Sequence, residues 1–311
     1  MVLAAGDGTR LRSLTCDASG RSTPKQYCSL LGGPSLLEDA LQRGRRIADP
    51  GRVAAIVSAH HEPHWRGALE DLDARNIVSQ PENRGTAHGV LLATLAVLNR
   101  DPDAVLLFLP ADHDVVDETR LADAMRSAVE AVVAEPASIA LVGIEPDEPD
   151  PELGYIVPGA ARGETRAVER FVEKPARAVA EKLLGVGALW NSFIFSVSGK
   201  HLVELYRTRL PGVVARMAEA VESGDESALA GVYAMLESVD FSHDILTHAT
   251  GSLRVVAARA CGWSDLGTPR RVDEAARRVR STPPRRLPTS GSPGLAAMNL
   301  SAMLAMQQLS A

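Results

Sequence analysis

Short, continuous runs of apolar residues alternate with helical patterns along most of the chain, and this alternation limits the fold more than any other feature. Val53–Val57, Ala104–Leu109 and Ile139–Ile144 are such runs. Strands buried on both faces have this composition because helices cover both sides of a parallel sheet. The order of strands and helices therefore predicts an α/β protein with an open, doubly wound sheet.

Helical patterns separate these runs. Ser35 opens a capping-box pattern that predicts a helix to about Ala48. Thr86–Leu98 is apolar on nearly all sides, which predicts a buried helix. A third helix is predicted from near Asp117, and it ends before Pro136.

The pattern changes after residue 145. The acidic, proline-rich stretch 145–151 (EPDEPDP) predicts a surface loop. The alternation of polar and apolar residues in 192–197 predicts a half-exposed strand. The other predictions in this half are strands at 153–158, 166–172 and 253–258, helices at 175–184 and 269–279, and several helical segments between 199 and 236.

Composition excludes several classes of protein. Hydrophobic residues make up 45% and charged residues 23% of the 311 positions, which is ordinary for a globular enzyme and excludes disorder of the whole chain. The net charge of −6 argues against a general nucleic-acid-binding protein. The cysteines (Cys16, Cys28 and Cys261) are widely spaced and form no CxxC pair, so they support neither a disulfide framework nor a zinc cluster.

Localisation is predicted from the same sequence. The first residues resemble no signal peptide, and no charge-free window is long enough to span a membrane. These observations predict a cytoplasmic protein without a membrane partner.

A glycine turn with a cation inside it is the first candidate for chemistry. It lies in Leu3–Leu11 (LAAGDGTRL), where a predicted first strand runs into the turn and Gly6 and Gly8 allow the backbone to approach a ligand. Arg10 suits a phosphate chain there, and Lys25 adds a second cation. A dinucleotide-binding fingerprint would need glycine at position 11, so a nicotinamide oxidoreductase is disfavoured.

Two carboxylates form the second candidate. Asp112 directly follows the most apolar strand, at the end of a sheet where ligands of open α/β folds bind. Asp265 lies in the glycine-bounded turn 262–267 (GWSDLG). Mg²⁺ usually takes one or two carboxylates together with substrate phosphates, so these residues are candidate Mg²⁺ ligands.

The third candidate is polar and lies in the second half of the chain. Glu173 and Lys174 sit together at a strand end, where the acid accepts hydrogen bonds from hydroxyls and the lysine attracts a phosphate. Asn191 offers an amide beside Trp190. The histidines of 60–64 (HHEPH) fit no standard zinc spacing, and His88 and His113 are interpreted as polar wall groups.

Taken in order, these stretches resemble one family, the sugar-1-phosphate nucleotidyltransferases, and within it the mannose-1-phosphate guanylyltransferases. The matching stretches are LAAGDGTRL (3–11), TPKQY (23–27), QPENRGTA (80–87), LPADH (109–113), LGYI (153–156), FVEKP (171–175), LWNS (189–192), SVDF (238–241) and GWSDLG (262–267). The resemblance implies a Rossmann-like α/β/α sandwich with a mixed, mainly parallel sheet.

The resemblance also implies roles for individual residues. The implied catalytic residues are Arg10 and Lys25. The implied nucleotide contacts are Leu3, Ala4, Gly6, Gly8, Thr9, Gln80, Gly85 and Thr86. The implied sugar-phosphate contacts are Gly154, Glu173, Lys174 and Asn191. The implied Mg²⁺ ligands are Asp112 and Asp265.

The implied reaction is transfer of a nucleotidyl group from an NTP to a sugar 1-phosphate, with GTP and mannose 1-phosphate favoured. The family motif commonly reads RNTAP where this chain has residues 84–88 (RGTAH), so the base remains open. Uridylyl or thymidylyl transfer to glucose 1-phosphate is one alternative, and a non-catalytic sugar-nucleotide sensor is another. The oligomeric state is also open, with a homodimer as one candidate.

Domain boundaries follow from the same reading. One nucleotidyltransferase domain is predicted over 1–280, with a nucleotide-binding half to about 145 and a sugar-phosphate-binding half from about 146. The proline- and serine-rich stretch 281–294 predicts a linker, and 295–311 predicts a short amphipathic or disordered tail.

Overall fold

The apolar runs of the sequence form strands of one sheet. The computed structural model describes residues 1–16, 20 and 22–281. The strands are β1 (Val2–Ala4), β2 (Ala55–Ser58), β3 (Ile77–Gln80), β4 (Val105–Pro110), β5 (Ile139–Ile144), β6 (Tyr155–Arg162), β7 (Thr165–Val172), β8 (Leu189–Ser198) and β9 (Leu253–Ala258). Their order across the sheet is β3-β2-β1-β4-β8-β5-β9-β7-β6, and β8 also pairs with β6.

The sheet is mixed. β3, β2, β1 and β4 pair in parallel, as do β5 and β9. β8 runs antiparallel between β4 and β5, and β7 runs antiparallel between β9 and β6. All the described strands except β7 and β8 therefore point the same way, and the predicted mixed, mainly parallel sheet is confirmed.

Helices cover both faces of this sheet. They are α1 (Arg12–Thr15), α2 (Leu36–Arg45), α3 (Glu62–Trp65), α4 (Thr86–Leu98), α5 (Glu118–Ala134), α6 (Arg177–Gly185), α7 (Gly199–Arg209), α8 (Pro211–Ser223), α9 (Glu226–Ala234) and α10 (Pro269–Ser281). None of these described helices combines the length and the apolar character needed to cross a bilayer.

Two cores lie on opposite sides of the sheet, and β5 contributes to both. Ala140 and Val142 point into the core under α2 and α5, whereas Ile139 and Leu141 point into the core under α4, α7 and α8. Successive side chains of a strand face opposite ways, so a strand covered on both sides is apolar at every position. This arrangement is the predicted α/β/α sandwich.

Local sequence signals explain the helix boundaries of the first half. Ser35 caps α2, because its side chain accepts from the Glu38 N–H while the Glu38 carboxylate accepts from the Ser35 N–H. The capping-box prediction is confirmed. α4 is buried along most of its length between the sheet and the helices α7 and α8, as its apolar surface predicts.

The prediction for β8 is wrong in one respect. The alternating stretch 192–197 belongs to a longer strand that lies at the centre of the sheet and is buried on both faces. Its polar residues are small, and the Ser192 hydroxyl donates to the Val142 carbonyl at 2.6 Å. A hydroxyl that bonds to the neighbouring strand can be buried, so alternation here does not signal exposure.

The structure adds one strand to those predicted and leaves other predictions open. β3 was not among the predicted strands, and it forms the sheet edge beside β2. Strands from both predicted halves share the single sheet, and the domain boundaries stay a prediction. The predicted tail and the linker beyond Ser281 lie outside the described residues.

Candidate active site

The candidate site is a cavity of about 540 Å³ at the carboxyl ends of β1 and β4. These strands are parallel neighbours, and the Ala111 N–H donates to the Leu3 carbonyl at 3.0 Å. The glycine turn after β1 and Asp112 after β4 therefore reach the same edge of the sheet. Ligands of open α/β sheets bind at such an edge.

The glycine turn is held from one side by residues 25–27. Gly8 has a φ of +60°, and a Cβ on it would lie 2.8 Å from the backbone nitrogen of Lys25, so the close approach requires glycine. The Gln26 amide donates to the carbonyls of Ala4 at 2.9 Å and Gly6 at 2.7 Å. The two motifs TPKQY and LAAGDGTRL thus form one structural unit.

The loops that carry Asp112 and Asp265 are joined by backbone pairing. Asp114 and Ser264 exchange two hydrogen bonds, each 2.9 Å long. This bridge brings together two aspartates that are far apart in the sequence, and both line the cavity. No group of three or more His, Cys, Asp or Glu side chains among the described residues could hold a metal ion.

Lys25 connects the same two residues. Its buried Nζ lies 3.0 Å from Asp112 Oδ2 and donates to the Asp265 carbonyl at 2.6 Å. Burial raises the pKa of Asp112, but the charge and hydrogen bond of Lys25, together with His113 and the charge of Arg10, outweigh it, so the pKa of Asp112 is held below its ordinary value. Asp112 is therefore ionised at neutral pH.

His113 is a neutral neighbour of Asp112. The Trp263 indole donates to His113 Nδ1 at 3.2 Å, and an indole N–H can only donate, so the ring proton lies on Nε2. That nitrogen is 3.5 Å from Asp112 Oδ1. Burial lowers the pKa of His113 to about 4, which agrees with a neutral wall group rather than a base.

Asp265 is fixed from behind. Its Oδ1 accepts from the Gly267 N–H at 3.0 Å and from Arg271 Nη1 at 2.8 Å. A Cβ on Gly267 would lie 2.2 Å from Asp265 Oδ2, so only glycine leaves room for this carboxylate. Burial raises the pKa of Asp265. The charge of Arg271 and the other neighbours of the carboxylate together lower the pKa by more, so it lies below its ordinary value.

Residues beside the ends of β6 and β7, and residues of β8, form the other end of the cavity. Glu173 is mostly buried, and its Oε2 has no hydrogen-bond partner among the described residues. Burial, together with repulsion from Asp240, raises the pKa of Glu173 to about 7. A Cβ on Gly154 would lie 2.6 Å from that Oε2, so the glycine leaves room for the carboxylate.

Strained backbone is concentrated around this cavity. Four described residues other than glycine have a positive φ, and Lys174 (+42°), Phe193 (+58°) and Leu266 (+46°) are three of them. Lys174 and Phe193 line the cavity, and Leu266 follows Asp265 directly. Such conformations cost about 1–3 kcal/mol each and are typical of functional sites.

Another part of the cavity lies beside α4. Gln80 is buried at the end of β3, and its Oε1 would be 3.0 Å from a Cβ on Gly89. Gly85 has a φ of +86°, and its missing Cβ lets Val239 approach. The Thr86 hydroxyl accepts from the Phe241 N–H at 2.8 Å, so the stretch 238–241 (SVDF) borders this part of the cavity.

The structure brings most of the predicted site residues together. The predicted residues that line the cavity are Leu3, Gly6, Gly8, Arg10, Gln80, Gly85, Thr86, Asp112, Gly154, Glu173, Lys174, Asn191 and Asp265. Ala4 is buried beneath it, Thr9 belongs to the backbone of the turn, and Lys25 lies behind Asp112.

Sequence reasoning missed Phe193 and Arg271. The signal for Arg271 is a first helical turn in α10 that contains two arginines and no acid, which opposes the helix dipole. For Phe193 the sequence carries no signal, because backbone strain is visible only in the structure.

Comparison with known proteins identifies the family. The model of the family described as nucleotidyl transferase matches residues 1–282. The chain belongs to this family. The xanthan biosynthesis protein XanB of Xanthomonas campestris is 33% identical over 282 residues, covering 86% of this chain and 57% of the relative. The mannose-1-phosphate guanylyltransferase ManC of Salmonella typhimurium is 31% identical over 282 residues, with the same coverage.

Solved structures agree with this membership. A protein of Thermus thermophilus described as a mannose-1-phosphate geranyltransferase has a TM-score of 0.76 and 30% identity, covering 92% of this chain and 79% of that one. A UDP-glucose pyrophosphorylase has a TM-score of 0.58 at 15% identity, covering 90% of this chain and 97% of that one, and shows the fold alone. The predicted resemblance to sugar-1-phosphate nucleotidyltransferases is thus confirmed. The chain spans about 57% of the length of the two curated relatives named above.

Proposed function

We propose that the protein transfers a nucleotidyl group from an NTP to a sugar 1-phosphate and releases pyrophosphate, with GTP and mannose 1-phosphate as the favoured substrates. One observation carries the proposal. A single cavity connects the glycine turn, through Asp112 and Asp265, to Glu173 and Asn191. A nucleotide and a sugar phosphate that bind at its two ends would meet beside the two carboxylates.

The reaction needs charge control rather than a base. A phosphate oxygen of the sugar 1-phosphate attacks the α-phosphorus of the NTP, the bond to the β-phosphate oxygen breaks, and pyrophosphate leaves. The attacking oxygen is already anionic, so no proton has to be removed. The barrier comes from repulsion between two anions, which oriented cations and hydrogen-bond donors reduce.

The cavity supplies two exposed cations for this purpose. Arg10 lies in the glycine turn, half exposed, and Glu152 is 4.0 Å from its guanidinium. An exposed ion pair of this kind is worth less than about 1 kcal/mol, so it releases the arginine readily to a triphosphate. Lys174 lies at the other end and is also half exposed, with its Nζ 3.9 Å from Glu173 Oε1.

The aspartate pair fits Mg²⁺. In the described part of the chain, no hydrogen bond or ion pair reaches Asp265 Oδ2, and Asp112 is ionised beside Lys25. Two carboxylates without histidine or thiolate ligands suit a hard cation that also binds phosphates. Asp112 and Asp265 would hold the ion, which when bound supplies positive charge to the phosphate groups.

Pyrophosphate release tests the proposal. The purified protein is mixed with Mg²⁺, each of the four NTPs and dTTP in turn, and mannose 1-phosphate or glucose 1-phosphate. We expect release with GTP and mannose 1-phosphate to exceed every other pair. Release that is fastest with UTP or dTTP and glucose 1-phosphate would instead identify a uridylyl or thymidylyl transferase. No release from any pair, with nucleotide binding retained, would indicate a sensor.

Asp112→Asn is the matched site variant for this assay. It keeps the size of the side chain and removes its charge, so we expect pyrophosphate release to fall below detection while the melting temperature changes little. Unchanged release would remove Asp112 from the site.

The cytoplasmic location and the homodimer stay predictions, which cell fractionation and light scattering test.

A further inference from the structure

The acidic loop 145–150 and the first turn of α10 meet behind the cavity. The sequence predicts a surface loop for the first and an ordinary helix for the second. In the structure, however, Asp150 is mostly buried and its Oδ2 accepts from Arg271 Nη2 at 2.6 Å. The loop is therefore part of the support of the site.

Arg271 lies at the centre of this contact. Its side chain is 6% exposed. One terminal nitrogen, Nη1, donates to Asp265 Oδ1 at 2.8 Å, while the other, Nη2, donates to Asp150. The guanidinium carbon also lies 5.0 Å from the centre of the Trp190 ring. A guanidinium that is held on three sides cannot change its direction without losing several contacts.

The position of this arginine opposes local preference. The N-terminal turn of a helix carries partial positive charge, so it favours acids and disfavours cations. The first turn of α10 nevertheless contains Arg270 and Arg271, and no acid. A residue that breaks a local rule and is compensated by distant partners is typical of a functional position.

The two oxygens of Asp265 are in different situations. Oδ1 accepts from both Arg271 and the Gly267 N–H, whereas Oδ2 has no protein partner among the described residues. The arginine thus fixes the rotation of the carboxylate about its last bond. Arg271 itself does not line the cavity, whereas Asp265 does.

We propose that Arg271 is a positioning residue that holds the Asp265 carboxylate in the orientation needed to bind a divalent cation, and that Asp150 anchors Arg271 for this purpose. The inference rests on the metal site of the proposed function. Partners behind a metal ligand typically change metal affinity or activity about 10–100-fold when they are replaced.

Direct metal binding tests this role. Mn²⁺ is titrated into the full-length protein, and free Mn²⁺ is followed by electron paramagnetic resonance, with no substrate present. We expect Arg271→Gln to raise the Mn²⁺ dissociation constant about 10–100-fold, and Arg271→Lys to recover part of the loss. The matched control is Arg277→Gln, because Arg277 is exposed on the same helix, whereas Arg270 shares its partner Glu148 with Arg271.

Activity gives a second readout. In the pyrophosphate assay, we expect the half-saturating Mg²⁺ concentration of Arg271→Gln to rise by the same factor, while the KM for GTP at saturating Mg²⁺ changes less than threefold. A lower melting temperature with unchanged Mn²⁺ and Mg²⁺ affinity would overturn the inference, since it would make Arg271 purely structural.

Asp150→Asn covers the case in which Arg271→Gln does not fold. It keeps the Arg271–Asp265 contact and weakens only the outer anchor, so we expect a smaller rise of about 3–10-fold in the Mn²⁺ dissociation constant. No change in this variant would overturn the role of Asp150. Wild-type protein that binds Mn²⁺ but releases no pyrophosphate would refute the proposed function and leave the Arg271 test intact. Wild-type protein that binds no Mn²⁺ would refute the inference.

Discussion

Replacement of Glu173 by glutamine tests the electrostatics of the cavity. Burial, with repulsion from Asp240, raises the pKa of Glu173 from its ordinary 4.5 to about 7. The unfolded chain releases this proton near pH 4.5, and the folded protein only near pH 7. The folded state therefore binds more protons in between, and the contribution of Glu173 to stability falls as the pH rises through this range.

The magnitude follows from the size of this difference. One pKa unit corresponds to about 1.4 kcal/mol, so the stability that Glu173 contributes falls by about 3 kcal/mol in all. About 2–3 kcal/mol of this loss occurs between pH 5 and pH 8. Glutamine keeps the shape of the side chain and carries no charge. We therefore expect the free energy of unfolding of Glu173→Gln, relative to that of the wild type, to rise by about 2–3 kcal/mol when the pH is raised from 5 to 8.

Urea denaturation at both pH values measures this gain. Glu169→Gln in β7, the strand that ends just before Glu173, is the matched control, because Glu169 is exposed. The same stability difference between Glu173→Gln and wild type at pH 5 and pH 8 would refute the reasoning. If the carboxylate binds sugar hydroxyls as proposed, the variant should also show a KM for sugar 1-phosphate raised at least tenfold at pH 8.

Three other substitutions test separate features of the site. Gly267→Ala places a Cβ 2.2 Å from Asp265 Oδ2, so we expect pyrophosphate release to fall at least 100-fold. Gly251 has open space where its Cβ would lie, so the control variant Gly251→Ala should leave release unchanged. Equal effects in the two variants would refute the steric argument. Phe193 has a φ of +58°, so we expect the Phe193→Gly variant to be more stable than Phe193→Ala by about 1–2 kcal/mol in urea denaturation. A more stable Phe193→Ala variant would exclude backbone strain at this position. Lys174→Ala should raise the KM for sugar 1-phosphate and leave the KM for GTP within threefold in steady-state kinetics; the reverse pattern would exchange the two ends of the cavity.

The sequence by itself determined the local structure of the chain. Ile139–Ile144 is a strand over its predicted range, and the capping box at Ser35 begins α2. Both signals are local, because strand burial and helix capping depend on residues a few positions apart. The glycine turn and the two aspartates were also identified from the sequence, since their motifs are short and each follows a strand.

Features that depend on contacts between residues far apart in the sequence were visible only in the tertiary structure. The polar–apolar alternation of 192–197 predicted exposure, but the order of strands places β8 at the centre of the sheet, where Ser192 bonds to Val142. The stretch 145–151 is a loop, as predicted, but only the structure shows that the Asp150 side chain in it is mostly buried against Arg271. Strand order and charge pairing across more than a hundred positions leave no periodic trace in a sequence, so only the folded sheet shows them.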